Sequence, residues 1–181
     1  MNDSGNDAPW PQGYVQVYTG EGKGKTTAAI GLVVRAVGAG AKVFFAQFVK
    51  GRRYHEIAAL ERFGDAVRVR QYGHGKFIRG APTPAECAAA QAGLAEVAGV
   101  LREGRRHLVV LDEANVAAKL GCFPAGALLE LLDLRPPHVE LVFTGRDADP
   151  ALLARADLVT EMRAVRHYYD AGVDGRRGIE S

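Results

Sequence analysis

Residues Thr19 to Thr27 read TGEGKGKTT, between a short β-branched and aromatic run (Tyr14 to Tyr18) and a long apolar helix pattern opening at Lys25. A strand, a glycine-rich turn and a helix that opens on Lys-Thr-Thr make a phosphate-binding P-loop. The backbone N–H groups of such a turn curl around phosphate oxygens, and the helix N-terminus adds its positive dipole end. Lys25 reaches the outer phosphates, and the Thr26 hydroxyl is placed to ligate Mg²⁺. The usual spelling is G-x-x-x-x-G-K-[ST]. Here Thr19 holds the first-glycine position and Gly20 follows one place late. The plainer reading is a glycine-rich hairpin with a chance Gly-Lys-Thr, and the flanking strand and helix patterns argue against it.

Beyond the loop, helix and strand patterns alternate. The first helix runs from Lys25 to about Val37 and ends at Gly38 and Gly40. Lys42 to Val49 is a buried strand, Tyr54 to Phe63 a short helix, and Ala66 to Tyr72 a strand. Thr83-Pro84-Ala85-Glu86 reads as a capping box with proline at the first helical position. The helix it opens carries Leu94, Val97, Ala98 and Leu101 on one stripe and stops near Gly104. His107 to Asp112, Val139 to Thr144 and Leu158 to Met162 are strands; Pro124 to Leu132 and Pro150 to Ala156 are helices. Strands alternating with helices predict an α/β, three-layer, RecA-like P-loop NTPase fold with a mostly parallel sheet of about six strands.

With 181 residues, 48% hydrophobic and 24% charged, the chain suits one globular domain over 13–181 behind a flexible N-terminal arm, 1–12. Trp10 is the one sticky residue of that arm and reads as surface packing. A net charge of +2 gives no global field for nucleic acid or membrane. No apolar stretch approaches the roughly 20 residues needed to span a bilayer, and the N-terminus lacks the order of a signal peptide. Cys87 and Cys122 are far apart in sequence, which suits a reducing compartment without a zinc knuckle or disulfide framework. The expectation is a cytoplasmic protein.

Two further landmarks fall at strand ends. Leu108 to Glu113 (LVVLDE) is a Walker B-like strand end, and in a parallel sheet it shares the carboxyl edge with the P-loop. Asp112 or Glu113 can hold Mg²⁺ there, and spacing does not decide between them. Mn²⁺ accepts the same oxygen ligands. The alternative is that both acids merely cap the next helix, Ala114 to Leu120. Thr144-Gly145-Arg146 closes another strand at that edge, where the Arg146 fork suits phosphate oxygens; its alternative is a surface pair with Asp147 or Asp149. His74 reads as an ordinary loop histidine.

Taken together, TGEGKGKTTAAIGLVVRAVGAGAKVFFAQFVKG, LVVLDE, LDLRPPHVELVFTGRDA and ADLVTEMRAVRHYYDAGVDGRRGIE resemble one family. They are similar to the ATP:corrinoid adenosyltransferases acting on cob(I)yrinic acid a,c-diamide and cob(I)alamin, over about Gly13 to Glu180. The resemblance implies attack by a Co(I) corrinoid on the ribose C5′ of ATP, forming a Co–C bond and expelling triphosphate, in adenosylcobalamin biosynthesis or salvage. It implies a nucleotide reversed relative to kinases, bound by Thr19, Gly20, Glu21, Gly22, Lys23, Gly24, Lys25, Thr26, Thr27 and Arg146. Lys25, Thr26 and Glu113 become the catalytic set, with Thr26 and Glu113 on the metal and Asp112 beside them. The corrinoid falls beside Gln71 to Gly80, where Phe77 is aromatic and Ile78 stands where relatives often carry a second aromatic; Tyr54 and His55 are further contacts. His167-Tyr168-Tyr169-Asp170 reads as packing around the sheet edge and nucleotide pocket. A flavoprotein-type reductant and a homodimer are implied by resemblance alone. An ordinary P-loop ATPase or small-molecule kinase, or a nucleotide-responsive binding module without turnover, are the rival readings from the residues themselves.

Overall fold

The computed structural model describes residues 8–73 and 80–180. Its strands are β1 (Val15–Thr19), β2 (Val43–Phe48), β3 (Val67–Tyr72), β4 (Leu108–Asp112), β5 (Glu140–Thr144) and β6 (Leu158–Glu161). Its helices are α1 (Lys25–Gly38), α2 (His55–Glu61), α3 (Pro84–Glu103), α4 (Ala114–Lys119), α5 (Gly126–Leu134) and α6 (Pro150–Arg155). All six strands are parallel, in the order β3-β2-β4-β5-β1-β6. β5 lies between the P-loop strand β1 and β4, so the carboxyl ends of these three strands form one rim.

The sheet is covered on both faces, which is why its central strands read as unbroken apolar runs rather than alternating ones. β2 sends Phe44, Ala46 and Phe48 to one side and Val43 and Phe45 to the other. The first side packs against α3, α4, α5 and α6 through Val97, Leu101, Ala117, Leu128 and Leu152. The second packs against α1 and α2 through Ala29, Val33, Ile57 and Leu60. β6 is the exception, exposed along its whole length.

Local chemistry sets the element ends. Thr83 Oγ1 accepts from the Glu86 N–H at 3.3 Å, while Glu86 Oε2 accepts from the Thr83 N–H at 2.7 Å, completing the capping box. Gly104 closes α3 in the left-handed region at φ 63°. α5 begins at Gly126, two residues later than expected, because Pro124 first accepts from the Ala127 N–H in a separate turn. Two 3₁₀ turns, Gly64–Ala66 and Tyr168–Ala171, add to the expected elements. Burial, then the hydrogen bond with Cys87, pushes the Cys122 thiol up to about 12, so the fold brings together two cysteines distant in sequence.

Trp10 packs at the sheet edge opposite the P-loop, its Nε1 donating to the His138 carbonyl at 3.0 Å and its ring edge-on to His107. Just beyond it the chain squeezes past β5. A Cβ on Gly13 would lie 2.2 Å from the Val139 carbonyl carbon, which is backbone and cannot swing away. Gly13→Ala is therefore expected to cost about 1–3 kcal/mol by urea unfolding; an unchanged midpoint would show that the start of β1 is free to shift.

Candidate nucleotide site

The P-loop departs from its usual spelling because the turn needs glycine one residue later. Thr19 still ends β1, whereas Gly20 adopts φ 91°. A side chain at Gly20 would also meet the Met162 carbonyl at 2.6 Å. The Gly22 N–H donates to that same carbonyl at 2.6 Å, so the residues after β6 brace the loop from outside. Gly24 turns at φ 122° into α1, and no side chain caps the helix's first N–H groups. Those free donors and the helix dipole together define an anion site.

Cationic groups gather at the loop, and Lys23, one of them, donates to the Ile179 carbonyl at 3.0 Å. Lys25 is buried, and its Nζ donates to the Gly20 and Gly22 carbonyls at 2.6 and 2.8 Å. Burial lowers its pKa, as does the nearby Arg146, against the pull of Glu113. Arg146 pairs with neither Asp147 nor Asp149. Its guanidinium meets the Glu21 carboxylate at 3.1 Å and the Glu21 carbonyl at 3.3 Å, across the P-loop. Lys50, which sequence reasoning did not single out, is another.

Asp112 and Glu113 have different surroundings. Asp112 is fully buried, and its carboxylate accepts from Thr26 Oγ1 at 2.7 Å, Thr144 Oγ1 at 2.7 Å and Gln47 Nε2 at 2.9 Å. Lys50 Nζ lies 3.6 Å from Asp112 Oδ2 and 3.5 Å from Glu113 Oε1. Glu113 turns sharply off β4 at φ 60° and precedes α4 without a side-chain capping bond, so helix capping does not account for it. Its N–H donates to Thr144 Oγ1 at 3.0 Å, which frees its carboxylate to face the rim. Burial, then the Asp112 charge, raises the Glu113 pKa above the usual carboxylate range. Burial alone would depress the Lys50 ammonium, but Asp112 and Glu113 together hold it above its usual value.

The rim opens into a cavity of about 1150 Å³, with Lys25, Thr26, Lys50, Glu113 and Arg146 in its wall. His55 and Tyr169 also line it, the latter two-thirds exposed. Tyr54 lines a smaller neighbouring cavity instead. Phe77, Ile78 and His74 lie outside the described residues. The missed residues carried a signal: Gln47 is a polar side chain in an otherwise apolar buried strand, and Lys50 a cation just past its carboxyl end.

Fold and rim define a P-loop nucleotide-binding protein. A solved structure with the same architecture is the assembled ATPase EscN of the enteropathogenic E. coli type III secretion system, at TM-score 0.56 and 16% identity, over 89% of this chain and 45% of that one. The chain belongs to the family described as ATP:corrinoid adenosyltransferase BtuR/CobO/CobP, which matches residues 11–181. Similar relatives are the corrinoid adenosyltransferase of Pseudomonas aeruginosa (37% identical, 93% of this chain and 84% of that protein) and CobA of Salmonella typhimurium (38%, 93% and 86%). The corrinoid adenosyltransferase of Escherichia coli K12 is 34% identical over 93% of this chain and 86% of its own.

A carboxylate whose folded pKa is raised destabilises the fold once ionised. Glu113→Gln should therefore stabilise the metal-free protein at neutral pH. That gain should shrink as pH falls through the raised pKa and vanish below the unfolded value of about 4.3. Chemical denaturation in the presence of a chelator measures it; a destabilised variant at neutral pH would mean the Lys50 pair outweighs the repulsion from Asp112.

Proposed function

We propose that this protein transfers the 5′-deoxyadenosyl group of ATP to the cobalt of a Co(I) corrinoid. The cobalt electron pair forms the Co–C bond, the C5′–O bond breaks, and its electrons leave with inorganic triphosphate. Family membership over almost the whole chain carries this reading. The large cavity supports it, since it exceeds the roughly 300–1,000 Å³ of ordinary ligand pockets and suits two substrates side by side.

The nucleophile is supplied by the substrate, so the protein needs no group to activate water or a hydroxyl. Its work is to hold C5′ against cobalt and to stabilise the charge that collects on the departing triphosphate. The P-loop amides and Lys25 grip that polyanion, with Arg146 positioned over the loop and Lys50 beside Glu113 in the cavity wall. Thr26 and Glu113 in the cavity wall, with Asp112 bonded to Thr26, are hard oxygen donors of the kind that would suit Mg²⁺ or Mn²⁺. Held by Thr26 and Glu113, such a cation would neutralise part of the charge on the triphosphate. Glu113 is the direct ligand in this reading, because Asp112 already accepts from three side-chain donors and holds Thr26 in place. The nucleotide lies reversed, with C5′ toward the open cavity, and the corrinoid is seated beside Phe77, Ile78, Tyr54 and His55. A flavoprotein-type donor reduces the corrinoid, the enzyme works in the cytoplasm, and the uncovered β6 edge, with Leu158 and Val159 exposed, suits a homodimer.

The rival reading, an ATPase or small-molecule kinase, differs in its products. With Mg²⁺-ATP and chemically reduced corrinoid under anaerobic dim light, a light-sensitive alkyl-corrinoid and triphosphate are expected; ADP would contradict the proposal. Lys25→Ala should slow product formation by about a hundredfold to a thousandfold.

A further inference from the structure

Past the end of β2 the chain runs Arg52-Arg53-Tyr54-His55. With Arg177 from the C-terminal segment, these residues line a separate cavity of about 440 Å³. His55 lines this cavity and the large one alike, so the two meet at the start of α2. No P-loop residue lines the small cavity, which sets it apart from the triphosphate site.

The three guanidiniums are not equally engaged. Arg53 is ion-paired with Glu61. Arg52 lies 5.9 Å from the centre of the Tyr54 ring, and Arg177 Nε donates to His55 Nε2 at 3.1 Å. Among the described residues, neither Arg52 nor Arg177 has a carboxylate within ion-pairing distance. Each is held by a contact to an aromatic ring that positions the fork without a carboxylate to neutralise it. Guanidinium is a donor-only, planar group that matches a carboxylate bidentately. Two such forks, brought from segments far apart in sequence to one cavity mouth, suit a ligand carrying more than one anionic group.

We propose that Arg52 and Arg177 form a carboxylate-reading subsite for the rim of the corrin ring, so that this protein favours an acceptor with free peripheral carboxylates over its fully amidated counterpart. The inference rests on the adenosyl-transfer reading, and it names which acceptor that site takes. A lone phosphodiester on a corrinoid's lower nucleotide would engage one fork and leave the other uncompensated.

The test compares three corrinoids: cobyrinic acid a,c-diamide, with free carboxylates; cobinamide, amidated and without phosphodiester; and cobalamin, amidated with one phosphodiester. Each is titrated as the Co(II) form by its visible spectrum and assayed as the reduced form at saturating ATP. The wild-type protein should bind the carboxylate-bearing corrinoid about tenfold or more tightly than cobinamide. Arg52→Gln with Arg177→Gln should remove about tenfold of that affinity, leaving cobinamide binding and kcat within about twofold. Added salt should weaken only the first interaction. A similar loss for all three corrinoids, or no loss for any, overturns the proposal, and a loss confined to cobalamin reassigns the subsite to phosphodiester and overturns it too. Product without discrimination sinks this inference alone; discrimination in the titration without product sinks the transfer reading alone.

Discussion

One buried carboxylate organises the functional end of this molecule. Asp112 sits at zero exposure on the carboxyl end of β4, where an unpartnered charge would be strongly unfavourable. Its oxygens are satisfied by Thr26 from α1, Gln47 from β2 and Thr144 from β5, with Lys50 close behind. These donors come from three elements, so satisfying the one charge on β4 fixes the relative positions of the P-loop helix and three strands. Thr144 carries the order one step further, since the hydroxyl that donates to Asp112 also accepts the Glu113 N–H. The backbone at Glu113 is thereby held in a conformation unusual for its residue type, and such local strain gathers at sites that must aim a side chain. Asp112 builds the site, and Glu113 is what the site displays.

Charge at the rim follows the same logic. A polyanion held there meets Lys25, buried against the loop carbonyls, the free N–H groups of α1 and the Arg146 guanidinium that Glu21 holds over the loop. Preorganised donors of this kind favour developing negative charge without having to reorganise as it forms. A leaving group that carries off a full triphosphate makes a larger demand of that sort than transfer of one phosphoryl group. The bracing of Gly20 and Gly22 against Met162 gives the tail after β6 a part in this stiffness.

Much of this was readable in the sequence. The unbroken apolar runs at Val43 and Leu108 announced a sheet covered on both faces, and TGEGKGKTT announced the loop and the helix behind it. Thr83 and Glu86 marked the start of α3 because a capping box is local chemistry. What stayed hidden depends on long-range contact. No spacing rule links Gln47, Lys50 and Thr144 to Asp112, since they meet only once the strands are ordered in the sheet. The partner of Arg146 was equally illegible, because Glu21 lies 125 residues away. Asp112 and Glu113 could not be told apart until their exposure and hydrogen bonds were known.

The orientation of the nucleotide tests the account most directly. A crystal structure of the protein with Mg²⁺ and a slowly reacting ATP analogue should place the ribose C5′ toward the large cavity, Thr26 and Glu113 on the metal, and Asp112 still bonded to Thr144 and Gln47. A terminal phosphorus turned toward that cavity, or Asp112 drawn out of its donors to take the metal itself, would contradict it.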